Sequence, residues 1–226
     1  MKPYERIAVA LDVPDLVEAR ELAEALTGTV GWFKVGLELF TAHGPYAVEA
    51  IREYGPVFLD VKLHDIPTTV ERAARRIADL DVGLVTVHAL GAPQMIAAAA
   101  EGLGDTGRVL AVTVLTSMST EDLASIGLPA AETQVPRLGS LAIDAGAAGL
   151  VCAPSDLTAI RAAVGEDSLL VTPGVRPAGT GDDDHARAAT PADAVSNGAD
   201  LLVVGRPITR AEDPAAAADA IAAELA

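Results

Sequence analysis

Asp60, Lys62 and Asp65 stand in one short run, Val57-Phe58-Leu59-Asp60-Val61-Lys62-Leu63-His64-Asp65-Ile66-Pro67. The run opens like a buried strand, so the charges that follow are costly. An ion in an apolar interior survives only when it is paired or serves a site. In a regular strand Asp60 and Lys62, two residues apart, share a face with Cα atoms roughly 6.6 Å apart. Asp65 follows in the loop beyond. Two acids around a base, delivered together at the end of a strand, can hold and orient a proton and stabilise charge that develops on a bound molecule. The bland alternative is an ion-pair network with no function. Lys34, in Trp32-Phe33-Lys34-Val35-Gly36, repeats the pattern of a charge inside a strand-like run, and the chain has only two other lysines, Lys2 and Lys62.

Short apolar runs rich in β-branched residues alternate with Ala-rich amphipathic stretches, the rhythm of βα units. Strands are expected near Ile7 to Leu11, Trp32 to Gly36, Val57 to Lys62, Leu84 to His88, Val109 to Leu115, Gly149 to Cys152, Leu169 to Thr172 and Leu201 to Val204. Helix starts are marked by Asp15, Pro45, Pro67, Pro93, Pro154-Ser155, Pro191 and Asp213-Pro214, because proline suits a first helical turn and aspartate caps one. Eight such units in a chain of 226 residues fit an α/β fold of the TIM (β/α)8 barrel type, with an open doubly wound sheet as runner-up. A single domain over residues 1–226 follows, for no linker interrupts the rhythm. In such a barrel the site lies at the carboxyl ends of the strands. The polar residues there are Asp12, Lys34, Asp60 with Lys62, His88, Thr116 with Ser117, Thr172 and Gly205-Arg206.

A formal net charge of −16 excludes nonspecific binding to nucleic acid or anionic membrane, both of which need basic surface. No run approaches the roughly 20 apolar residues that span a bilayer, and the first residues lack a signal-peptide pattern, so a cytoplasmic protein is expected. The single cysteine, Cys152, ends an apolar run and reads as a small core residue. No His, Asp or Glu spacing suggests a metal site. His88 reads as a structural strand-end residue and His43 as a loop residue.

These segments together resemble the orotidine 5′-monophosphate decarboxylase family. The resemblance runs from end to end of the chain. It rests on Ala10-Leu11-Asp12, Lys34-Val35-Gly36, the Asp60 to Thr69 signature, Val112-Thr113-Val114-Leu115-Thr116-Ser117, Thr172-Pro173-Gly174-Val175-Arg176-Pro177 and Val204-Gly205-Arg206-Pro207. The bare D-x-K-x-x-D pattern also occurs in sugar-phosphate decarboxylases and aldolases of the same superfamily, whereas His64-Asp65-Ile66-Pro67 resembles the orotidylate branch.

The resemblance implies decarboxylation of orotidine 5′-monophosphate to uridine 5′-monophosphate in pyrimidine synthesis, without a cofactor, by a homodimer. It implies that Lys34, Asp60, Lys62 and Asp65 form an alternating charged network, with Asp65 contributed to the neighbouring subunit's site. Loss of carbon dioxide leaves a carbanion at C6 of the base, and Lys62 can supply both the nearby cation and the proton. Asp60 beside the substrate carboxylate, ~4 Å away at an effective dielectric of 20, would repel it by about 4 kcal/mol, at most a thousandfold in rate. It would equally orient Lys62 and keep it protonated. Asp12 and Thr69 resemble the family's ribose contacts, although Asp12 also fits a helix cap or turn, and Thr116 resembles the residue bordering the pyrimidine. The phosphate is expected between the loops after the seventh and eighth strands, on Gly205, Arg206 and Arg176. The long segment Pro173 to Ala189 reads as a lid. Within it His185 stands where the family commonly has a glutamine bridging base and phosphate.

Two rivals remain from the sequence. One is a magnesium-dependent sugar-phosphate decarboxylase or aldolase of the same superfamily. The other is a non-catalytic nucleotide-binding barrel.

Overall fold

The computed structural model describes residues 1–176 and 189–225. Eight parallel strands close into a barrel in chain order: β1 (Ile7–Ala10), β2 (Trp32–Gly36), β3 (Val57–Leu63), β4 (Leu84–His88), β5 (Arg108–Val112), β6 (Gly149–Val151), β7 (Leu169–Pro173) and β8 (Leu201–Val204), with β8 returning to pair with β1. The expected TIM barrel is therefore the observed one, and helices follow the strands around its outside. Asp15 caps the helix Leu16–Ala25 by accepting from the N–H groups of Val17 and Glu18, and Asp213 caps Pro214–Ala223 in the same way through Ala216. Pro45 and Pro67 open their helices at the position where a missing N–H costs nothing.

Alternate residues of each strand face opposite ways, and both faces are buried, which is why the strands read as nearly unbroken apolar runs. Outward residues such as Val9, Phe33, Leu59, Val85 and Leu150 pack under the helices. Inward residues Ala8, Phe58, Leu84, Leu110 and Val171 fill the barrel, with Trp32 and Leu169 packed against them. Parallel pairing sets Ala10 beside Lys34, Lys34 beside Phe58, and Gly36 beside Asp60. Two residues beyond Trp32, Phe58 and Leu84 on the same inward rows stand Lys34, Asp60 and Thr86. The barrel's filling thus changes from apolar to polar within one residue pair of its carboxyl mouth.

The fifth strand ends at Val112, short of the expected Leu115. Thr113 still donates to Val151 O, but Val114 and Leu115 leave the sheet and line the cavity instead, which accounts for their apolar character without further pairing.

Candidate active site

β3 is not a regular strand where its charges lie. Its pairing with β4 advances from Leu59 to Leu63 while β4 advances only from Val85 to Val87. This is a bulge, and bulges re-aim side chains. Lys62 within it has φ of 49°, a left-handed conformation that costs a side-chain-bearing residue about 1–3 kcal/mol and persists only where the surroundings enforce it. Asp60 and Lys62 do converge, as the spacing suggests, but through this distortion and not through simple strand alternation.

The result is a row of alternating charge. Lys34 Nζ donates to Asp12 Oδ1 at 2.8 Å and lies 3.6 Å from Asp60 Oδ2, while Lys62 Nζ donates to Asp60 Oδ1 at 2.8 Å. The Lys34 residue is only 6% exposed, and the two carboxylates beside its ammonium offset the cost of burying it. Burial alone would push the Asp60 carboxyl up. The ammonium groups of Lys34 and Lys62, with hydrogen bonds from Lys62 and Thr86, more than reverse this and hold it below the usual carboxylate range. Asp60 is therefore an anion at neutral pH, with one oxygen on each lysine. Gly36 makes room for the outer pair, since a Cβ there would sit 2.5 Å from Asp12 Oδ1 and 3.0 Å from Lys34 Nζ.

These groups line a cavity of about 610 Å³ at the barrel mouth, the size of a nucleotide-class pocket. Asp12, Lys34, Asp60, Lys62, Thr116, Arg176, Gly205 and Arg206 all border it, so eight of the residues singled out from sequence meet in one place. Arg176 comes from the segment after β7, and Arg206 opens the short helix Arg206–Thr209 that follows β8 and Gly205. The near end of the expected lid is tied down by the Arg176 N–H donating to Ala189 O at 3.0 Å. His185 and most of that lid lie outside the described residues. Asp65 and Thr69 do not border the cavity of their own chain. Asp65 is exposed in the loop after β3, its Oδ1 accepting from the Ile66 N–H, and Thr69 follows in the first turn of the helix Pro67–Ala78. Beside Asp65, Ile66 is 66% exposed and Leu90 38% exposed.

Thr86 escaped the sequence reading. It is fully buried, donates to Asp60 Oδ1 at 2.9 Å and accepts from the Lys62 N–H at 2.9 Å. Only the strand register exposes it, as a polar side chain on an inward row of β4, level with Asp60. His88, which the sequence assigned to structure, lies half-buried against His64 with ring centroids 5.4 Å apart. Burial, then His64 and Lys62, lower its pKa, and Asp60 opposes them. Cys152 is fully buried, and burial pushes its thiol up to about 12, so it is no nucleophile.

A closed eight-stranded barrel with ammonium and carboxylate groups alternating at its carboxyl mouth, and an arginine following each of the last two strands, has the architecture of a TIM-barrel enzyme whose cavity suits a charged small molecule. The sequence model described as "Orotidine 5′-phosphate decarboxylase / HUMPS family" matches residues 5–221, and the chain belongs to that family. Among curated relatives, orotidine 5′-phosphate decarboxylase of Anaeromyxobacter sp. (strain K) is 57% identical, with 100% of each chain covered. That of Thermobifida fusca (strain YX) is 53% identical over 97% of this chain and 95% of its own. Among solved structures, orotidine 5′-phosphate decarboxylase from Lactobacillus acidophilus superposes with a TM-score of 0.85 at 37% identity, covering 97% of this chain and 98% of that one. The enzyme from Pyrococcus horikoshii OT3 gives 0.78 at 26% identity, again over 97% and 98%.

Proposed function

We propose that this chain is a carboxy-lyase that converts orotidine 5′-monophosphate to uridine 5′-monophosphate and carbon dioxide, in the cytoplasm and as a step of pyrimidine synthesis. The observation that carries this reading is the array Asp12–Lys34–Asp60–Lys62, because a fixed ammonium held by a fixed anion is what a localised carbanion requires. The bond from C6 to the carboxylate breaks with its electron pair left on C6. Carbon dioxide departs neutral, and the Lys62 ammonium delivers a proton to C6. Asp60 positions that ammonium, and its own charge opposes the departing carboxylate until that charge is lost. Lys34 balances Asp60 from the other side. Asp12 faces the ribose hydroxyls and Thr116 the pyrimidine edge, while Arg206, the Gly205 backbone and Arg176 hold the phosphate.

Lys62 supplies both cation and proton, so the reaction needs no metal or organic cofactor. A homodimer completes the site. Asp65, exposed beside Ile66 and Leu90 and not bordering its own cavity, enters the partner's site, and Thr69 on the following helical turn goes with it. The test is ultraviolet-monitored consumption of orotidylate by the purified protein in EDTA, beside Lys62→Ala. Turnover is expected to survive EDTA and to fall by at least about 1,000-fold in the variant. No turnover by the intact protein, or equal turnover by both, removes the assignment, and turnover abolished by EDTA favours the magnesium-dependent branch of the superfamily.

A further inference from the structure

Four atoms close a ring at the heart of the site. The Lys62 N–H donates to Thr86 Oγ1 at 2.9 Å, Thr86 Oγ1 donates to Asp60 Oδ1 at 2.9 Å, and Lys62 Nζ donates to the same Oδ1 at 2.8 Å. A hydroxyl has one proton and accepts through its lone pairs. Because the Lys62 N–H can only donate, the proton of Thr86 is committed to Asp60, and the direction of every bond in the ring is fixed. Thr86 stands on β4, whose ladder to β3 is interrupted over this stretch, so its hydroxyl takes the place of a missing backbone acceptor. It does so for the residue held at φ of 49°.

From this ring we infer that Thr86 is a positioning residue for the decarboxylation: it latches the left-handed backbone of Lys62 and fixes the Asp60 oxygen that aims the Lys62 ammonium. The inference rests on the assignment of the chemistry to Asp60 and Lys62. Removing the hydroxyl while keeping the shape leaves the Lys62 N–H without its acceptor and Asp60 without one of its donors. The bulge can then relax toward ordinary strand geometry and carry the ammonium off line. A misplacement of this kind is worth about 100-fold in rate. Substrate binding depends on groups elsewhere in the cavity, such as Arg206, which Thr86 does not organise.

The experiment compares Thr86→Val and Thr86→Ser with the parent enzyme, and Lys62→Ala is assayed in parallel. Thr86→Val is expected to lower kcat about 100-fold with KM changed less than about threefold, and Thr86→Ser, which restores the hydroxyl, to recover most of the loss. A merely structural threonine would move stability and leave this split between kcat and KM absent. Unchanged kcat in Thr86→Val, with Lys62→Ala inactive, overturns the role of Thr86 and leaves the assignment of Lys62 standing. An active Lys62→Ala removes the assignment itself. Thr86→Ala is the second variant where valine does not fold. If neither valine nor alanine yields a folded protein while serine does, the hydroxyl serves the fold alone and the inference falls.

Discussion

A carboxylate sunk among apolar side chains ordinarily gains protons, and Asp60 does the reverse because two ammonium groups and a hydroxyl surround it. Its depressed pKa means that its contribution to stability is complete above the unfolded value near 3.9 and is lost only as pH falls through the lower folded value. His88 governs a milder window. Its imidazole is also displaced downward, by burial first and then by His64 and Lys62, so the unfolded chain takes up that proton before the folded one does. Stability contributed by neutral His88 is therefore present above about pH 6.5 and declines as pH falls below it. Urea melts from about pH 7.5 down to about pH 5 should show this decline in the parent protein and a shallower one in His88→Gln. Equal slopes in the two proteins would remove His88 as the cause. The charged residues of this constellation were legible in the sequence because a lysine or aspartate stands out in an apolar run. Thr86 was not, because threonine is a good strand former and the run Leu84-Val85-Thr86-Val87 looks ordinary until its inward row is known.

Strands buried on both faces betray themselves by composition, so all eight strands could be placed, within about a residue at their ends except for the fifth, and their polar ends pointed to the candidate site. What local pattern does not encode is how one element adjusts to its neighbour. The bulge in β3 exists only relative to β4, and regular alternation would have been the simplest expectation for both strands. Pro136 lies inside the helix Ala131–Asp144, where its missing N–H would by itself argue for a break. Arg161 is another such case. From the helix Leu157–Val164 it reaches the turns that lead into β7 and β8, donating to the carbonyls of Gly165, Ser168 and Gly198 and to Asp200 Oδ2, which in turn accepts from the Leu170 N–H. Its partners are mostly backbone oxygens, invisible to motif reading. They lie at the amino ends of these strands, the face of a TIM barrel that serves stability. Arg161→Ala takes the donor from three carbonyls and the countercharge from Asp200, and is expected to cost about 3 kcal/mol and lower Tm by roughly 6–12 °C. Well below the transition kcat and KM should stay at parent values, and a changed KM at unaltered Tm would contradict a purely structural staple.

At the scale of the whole molecule, one chain presents a site with a gap in its charge sequence. Asp12, Lys34, Asp60 and Lys62 alternate in sign across the cavity, and Asp65, next in the signature, is exposed and does not border it. If two copies assemble so that each Asp65 enters the other's cavity, the acid following Lys62 comes from the partner, and the exposed apolar side chains of Ile66 and Leu90 gain cover. Such a contact is isologous, the same patch meeting itself, so each dimer has two equivalent sites and each site draws on both chains. This arrangement makes a prediction that no single variant can make. Lys62→Ala and Asp65→Asn should each fall by at least about 100-fold as homodimers. Co-expressed with different tags and isolated as the mixed dimer, they should regain activity, because one of the two sites then has Asp65 from one chain and Lys62 from the other, both intact. An unsorted equal mixture should reach about a quarter of the parent rate, since half of the dimers are mixed and each has one complete site. Were Asp65 to act within its own chain, every site in the mixed dimer would lack one of the two groups. No activity would then return, and sedimentation would still report a dimer.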